Sequence, residues 1–230
     1  LAAIDETGAL TSIGKELARL PVDPRVGRIL LAAHETGCLH DMLIIAAALS
    51  IQDPRIRPSD AREAADRAHA RFADERSDFL SWLKLWYFFD EALRHKSSTR
   101  QLIQLCHHHY LSWLRLREWR ELYGQLCTIM QQQKHPQRDV TSQASVSSKQ
   151  QNQQEAALYE SIHKALLTGL IGHIGMKSVD SDEYLSTRGG RFIIAPGSAL
   201  KKNKPKWVVA AELVETSRLY ARCAGRIAPE

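Results

Sequence analysis

The apolar residues of this chain change their spacing near residue 170, and that change limits the architectures open to it. From Asp23 to about Lys134 they recur every three or four residues, as on the buried stripe of a helix. Val26, Ile29, Leu30 and Ala33 make one such stripe, Leu102, Leu105 and Cys106 another, and Leu116, Trp119, Leu122, Tyr123, Leu126 and Met130 a third. In the helix predicted after Ser77, Leu80, Leu83, Trp86 and Tyr87 are expected to share one face. Beyond the helix expected from about Ala156 to Leu170, the apolar runs are short: LIGHIGM, EYLST, RFIIA, KWVVAAELV and RLYARCAGRI, with Gly, Pro, Ser and Lys between them. Such runs read as strands.

Five short strands in about sixty residues argue for a small five-stranded barrel of the OB type. The fold class expected is therefore α+β, mainly α, with a helical bundle of five or six helices followed by that barrel. Local signals place the joints. Pro21 pushes Leu20 out of helical geometry, Asp23 and Pro24 supply an N-cap and a first helical residue, and Gly37 stands where a left-handed C-cap is wanted. Asp60 and Glu63 form a capping-box pattern, and Ser97 and Ser98 precede another helix. Ahead of the elbow, a turn at Glu6 to Gly8, a strand through Leu10 and a short helix are expected.

Residues 135–155, HPQRDVTSQASVSSKQQNQQE, hold almost nothing able to join a core and read as a flexible, solvated Gln/Ser-rich linker. A formal charge of +5 permits a polyanionic partner without requiring one. Cys38, Cys106, Cys127 and Cys223 are far apart, which suits reduced thiols in a cytoplasmic protein. No apolar run reaches the roughly 20 residues of a membrane span. The chain opens on Leu1 and reads as part of something longer.

Chemistry-bearing motifs are scarce. No G-x-x-x-x-G-K-[ST] or G-x-G-x-x-G pattern occurs, so neither phosphate loop is available. The tetrapeptide Asp90 to Leu93 lies at the end of an aromatic helix, not after a buried strand. His107, His108 and His109 point about 100° apart on a helix and cannot converge on one ion. No catalytic residue, metal site or cofactor is expected in this chain.

The blocks ALTSIGKELARLPVDPRVGRILLAAHETGCLHDMLIIAAALSI, IRPSD, RFADERSDFLSWLKLW, CHHHYLSWLRLREWRELYGQL, YESIHKALLTGLIGHIGMK and APGSALKKNKPKWVVAAELVETSRLYAR occur in this order. Together they resemble the C-terminal region of DEAH-box ATP-dependent RNA helicases, the bacterial HrpA type in particular. The resemblance implies a winged-helix tail over 1–20, a ratchet-like helical domain over 21–134, the linker 135–155 and an OB-fold domain over 156–230. It further implies that ATP and Mg²⁺ are bound by RecA-like domains outside these residues. These residues would be a monomeric cytoplasmic accessory region, working with the RecA-like and winged-helix domains of the same chain. It would hold single-stranded RNA against the motor.

Candidate contacts follow from charge. Lys201, Lys202, Lys204 and Lys206 directly precede Trp207 in KKNKPKW, a pattern suited to tracking phosphates and stacking a base. Trp207 reads either as that stacking face or as the start of a buried strand. Ser198, Thr216, Ser217 and Arg218 could bond phosphates on the same barrel. Arg55, Arg57 and Arg62 face either an RNA channel or solvent. Arg115, Arg117 and Arg120 supply charge where eukaryotic relatives often carry Arg at the positions of Leu114 and Tyr123, and Lys84 stands where relatives often carry Asn. The competing reading is a helical protein-interaction scaffold whose basic loop is incidental.

Overall fold

The computed structural model describes residues 1–95, 98–132 and 148–228. The chain forms two compact units, each made of two separated stretches: 1–46 with 123–171, and 47–122 with 172 onward. In chain order the helices before the barrel are α1 (Ser12–Leu17), α2 (Pro24–Glu35), α3 (Leu39–Leu49), α4 (Arg62–Ala70), α5 (Asp78–His95), α6 (Thr99–His108), α7 (Trp113–Gln132) and α8 (Ser148–Leu170).

Local chemistry explains most helix starts. Asp23 Oδ1 accepts the Arg25 N–H at 2.8 Å, with Pro24 at the first helical position of α2. Gly37 takes φ +74°, a conformation that side chains resist. Ser98 caps α6 through the Gln101 N–H. The capping box expected at Asp60 and Glu63 does not form: the N-cap of α4 is Ala61, and no side chain bonds its first turn. The strand expected through Leu10 is reduced to a single bridge between Ile4 and Leu10.

In the first unit α2 and α8 pack side by side. Ile162, Ala165, Leu166 and Gly169 of α8 are buried at helical spacing. The helix begins at Ser148, not at the expected Ala156. The last residues of the Gln/Ser-rich stretch are therefore helical, and residues 135–147 of that stretch lie outside the described residues. Good helix formers extend a helix whose second half is anchored by packing.

Gly169 sets the separation of the two helices. A Cβ there would stand 2.3 Å from the Arg25 carbonyl oxygen and 2.7 Å from Ile29 Cγ1. Because a helix backbone cannot give way as a side chain can, Gly169→Ala is expected to cost about 1–3 kcal/mol. At Gly124, exposed in α7, an added Cβ meets nothing within 4 Å. Gly124→Ala is expected to stabilise by about 0.5–1 kcal/mol. Thermal melting of the two variants should move in opposite directions.

The second unit joins helices to the barrel. Trp119 of α7 meets Trp82 and Trp86 of α5 edge to face, at centroid distances of 5.6 and 5.1 Å. Phe79, Trp82, Leu83, Trp86 and Phe89 form the buried face of α5. Tyr87, expected on that face, is exposed, and Leu80 is only half-buried.

After a turn of 3₁₀ helix come β1 (Ile174–Lys177), β2 (Tyr184–Ser186), β3 (Arg191–Ile194), the short α9 (Leu200–Asn203), β4 (Trp207–Glu215) and β5 (Leu219–Arg226). They close in the order β1-β2-β3-β5-β4. β3 and β5 run parallel and the other neighbours antiparallel. This is the five-stranded OB arrangement. Tyr184, Phe192, Ile194, Leu200, Val208, Ala210, Ala221 and Ala224 fill it. Gly175 is required by packing, because a Cβ there would lie 2.2 Å from Phe192 Cζ.

Helix α5 is fastened to the barrel by its first turn. Asp78 Oδ1 accepts the Ala199 N–H at 3.0 Å, and Oδ2 accepts the Ala224 N–H at 2.9 Å. Burial pushes this carboxyl above its usual range, opposed by hydrogen bonds from Ser198, Ala224 and Ala199. Ser77 bridges Gly225, and the Trp82 indole N–H donates to Cys223 Sγ at 3.3 Å. Cys223 takes φ +51° inside β5. The neighbouring Ala224 N–H is thereby turned toward Asp78 in a strained backbone.

Candidate nucleic-acid interface

The four lysines of the KKNKPKW stretch sit on a short helix and the turn that follows it, at the start of β4. Their backbone is held firmly. The Lys204 N–H donates to Leu200 O at 2.9 Å, the Tyr184 hydroxyl to Pro205 O at 2.9 Å, and the Lys177 N–H to Lys206 O at 2.8 Å. Burial, and then the Asp182 charge, push the Tyr184 phenol up to about 12, so it stays a donor. Lys204 adopts φ +41° as the left-handed cap of α9, and its ammonium pairs with Asp182 at 2.5 Å. Lys201, Lys202 and Lys206 are exposed, and among the described residues no carboxylate pairs with them.

Ser198 lies beside this group but is already engaged. Its Oγ accepts the Leu200 N–H at 3.2 Å and its hydroxyl bonds the Asp78 carboxylate. Thr216, Ser217 and Arg218 form the exposed turn between β4 and β5, where the Thr216 N–H donates to Arg218 O at 3.0 Å. The nine residues of β4 separate that turn from Lys206, roughly 30 Å at the rise of an extended strand. The two candidate patches lie at opposite ends of one strand.

The helical candidates are mostly bound to protein partners. Arg55 makes a two-pronged pair with Asp53, at 3.0 and 2.7 Å, and its guanidinium lies 4.6 Å from the centre of the Trp82 ring. Arg115 Nη1 donates to the Asp53 carbonyl at 2.8 Å. Arg57 pairs with Asp66 at 2.6 Å, and Arg117 with Glu121 at 3.3 Å, one turn along α7. Lys84 bonds Asp74 at 3.1 Å and the Ala73 carbonyl at 2.9 Å. Desolvation raises the Asp74 carboxyl, but the Arg76 N–H, Lys84 and the Arg76 charge outweigh it and hold the carboxyl below its usual range.

The decoys have structural roles. Asp90 pairs with Arg94 and Arg120. The His109 ring meets Phe88 edge-on at 5.0 Å. Among the described residues no group of three or more His, Cys, Asp or Glu side chains is placed to hold a metal ion. None of their helices is long and apolar enough to cross a membrane.

Two arginines that the sequence does not mark out join Lys206 and Trp207. Arg76, from the segment before α5, and Arg226, at the end of β5, come together with Lys206 and Trp207 around an open cleft of about 540 Å³. About 150 residues of sequence separate the two arginines, and no local pattern joins them.

Comparison with known proteins finds matching domains and relatives. Residues 1–22 match the helicase associated domain (HA2), winged-helix; residues 23–82 match the helicase associated domain (HA2), ratchet-like; and residues 162–230 match an oligonucleotide/oligosaccharide-binding (OB)-fold. The chain is 48% identical over 221 residues, 96% of its length, to the ATP-dependent RNA helicase HrpA of Escherichia coli. It is 44% identical over 225 residues, 98% of its length, to the HrpA homolog of Haemophilus influenzae. Against the pre-mRNA-splicing factor ATP-dependent RNA helicase prp22 of Schizosaccharomyces pombe it is 26% identical over 231 residues, all of its length. It spans 16% of each of the two bacterial relatives and 18% of the yeast one. With winged-helix segment, ratchet-like helices and OB fold in that order, the chain carries the helicase-associated domains and is similar over almost its whole length to the C-terminal region of HrpA-type helicases.

Proposed function

We propose that this region holds single-stranded RNA beside an ATP-driven motor. The observation that carries the reading is the trio Lys201, Lys202 and Lys206, three exposed ammonium groups on a hydrogen-bonded backbone at one end of an OB barrel. Such groups attract a polyanion by releasing its condensed counterions, and they contact phosphates without reading sequence. The OB fold places them beside a strand face and an aromatic side chain, the combination used to bind unpaired strands. The parent protein's RecA-like domains would bind ATP and Mg²⁺ and act with the winged-helix domain of the same chain, in the cytoplasm and as a monomer. This region would keep the strand in register while the motor moves.

Anisotropy titrations with single-stranded and duplex RNA across a salt series test this directly. Preferential binding of the single strand, weakening steeply as salt rises, is the expected result. Binding to neither in a salt-dependent way would favour a protein-interaction scaffold. The isolated chain is also expected to hydrolyse no ATP above a buffer control, because it has no phosphate loop to order the triphosphate with Mg²⁺. A malachite-green assay on the purified chain checks that expectation.

A further inference from the structure

The cleft around Trp207 carries a more specific reading, which rests on the RNA-holding function above. Its wall is assembled from three segments tied by hydrogen bonds. The Asn203 side-chain amide donates to Glu75 O at 3.3 Å, the Arg226 N–H to Arg76 O at 2.9 Å, and the Ile227 N–H to Trp207 O at 3.1 Å. The remaining lining comes from Pro205, Lys206 and Ala228. A volume of about 540 Å³ falls within the range of small-ligand pockets.

Its chemistry is selective. Trp207 is only half-buried, although it begins a strand whose next three residues are fully buried. Among the described residues no acceptor takes its indole N–H. Lys206, Arg76 and Arg226 line the cleft with Trp207 and Glu75; Arg76 also pairs with Asp74 at 3.6 Å, whereas among the described residues no carboxylate pairs with Lys206. A half-buried indole on an open cleft, its N–H without an acceptor among the described residues, and the ammonium of Lys206 beside it match a flat, electron-rich ring attached to an anion. They match less well an acidic peptide, which offers the indole no aromatic partner.

We infer that the cleft receives one unstacked nucleobase of the bound single strand, stacked on Trp207, with the adjacent phosphate drawn to Lys206. A paired base cannot enter, because its face is covered by its neighbours in the duplex. The cleft would therefore discriminate unpaired from paired RNA, a distinction that phosphate contacts alone make poorly.

The test uses the whole chain and homopolymeric ribo-oligonucleotides. Trp207→Leu keeps apolar bulk but removes the π-face and is expected to weaken single-strand binding about tenfold. The slope of log K against log salt should stay unchanged, since no phosphate contact is lost. Trp207→Phe, which retains a stacking face, is expected to bind within about threefold of the unaltered chain. Independently of any variant, an oligonucleotide carrying 2-aminopurine should lose fluorescence on binding the unaltered chain as the probe base stacks.

Equal binding by the Leu variant, equal loss in the Phe and Leu variants, or unchanged 2-aminopurine emission on binding would each overturn the inference. The function reading would survive any of these, because the unaltered chain would still bind RNA. If the unaltered chain binds no RNA, the function reading fails with it.

Discussion

Replacing Asp78 with alanine is expected to destabilise the barrel-containing unit by about 3 kcal/mol. For a chain of this size that corresponds to a fall in melting temperature of roughly 6–12 °C. The cost arises from what the carboxylate leaves behind. Ala224 is fully buried, and its N–H is directed at Asp78, so it loses its protein acceptor. The Ala199 N–H loses its partner as well. An orphaned buried donor costs about 1–3 kcal/mol, more than the net worth of the hydrogen bond it made. Ser198 would also lose an acceptor. Differential scanning calorimetry on the variant checks the expectation, and a shift under about 2 °C would mean that the α5–barrel junction is held by packing alone.

Changing Lys201, Lys202, Lys204 and Lys206 together to alanine is expected to weaken single-stranded RNA binding by a similar factor for every sequence tested. Each phosphate contact contributes about 0.7 to the slope of log K against log salt for a single strand. Four contacts would remove nearly 3 units of slope. Lys204, however, is paired with Asp182, so three contacts and a loss of about 2 units are expected. Near 0.1 M salt that slope corresponds to roughly a hundredfold in affinity. Lys204→Ala alone should leave the slope almost unaltered. Stability should barely move, since exposed lysines contribute little net free energy. If the quadruple variant keeps the original slope, the strand passes elsewhere, past Arg55, Arg57, Arg115 and Arg117.

The parts of this molecule that were legible in sequence are those decided by neighbours in the chain. Asp23, Pro24 and Gly37 act within a turn of themselves, and all three do in the fold what their chemistry requires. The barrel strands were legible because apolar runs bounded by turn residues have few other uses. The α5 face was misread because that helix is apolar nearly all round, so its period barely separates Leu80 and Tyr87 from Phe79 and Phe89. The start of α8 was illegible for the opposite reason: its first residues bury nothing, and helix formation there is carried by the anchored end.

Site residues were least legible. A positive charge in sequence does not reveal its partner. Arg115 finds the Asp53 carbonyl, and Ser198 finds Asp78, only once the chain has folded. Both looked available for phosphate when read as isolated residues. Arg76 and Arg226 drew no notice because each is an unremarkable cation until the other stands across from it.

The threading of the chain has a consequence for how it is made. The path passes from the first unit to the second after residue 46, returns at residue 123, and leaves again after residue 171. Helix α2 therefore waits, with Ile29 uncovered, until α8 emerges some 140 residues later. At typical synthesis rates that interval is on the order of ten seconds. The second unit waits similarly, because the Asp78 carboxylate is translated long before the Ala224 N–H it will bind. Neither unit can finish before most of the chain exists, although the last residue of the first unit, 171, precedes the whole barrel of the second. Folding must bring together contacts that are distant in sequence, the slow class of events that exposes unfinished apolar faces to solvent.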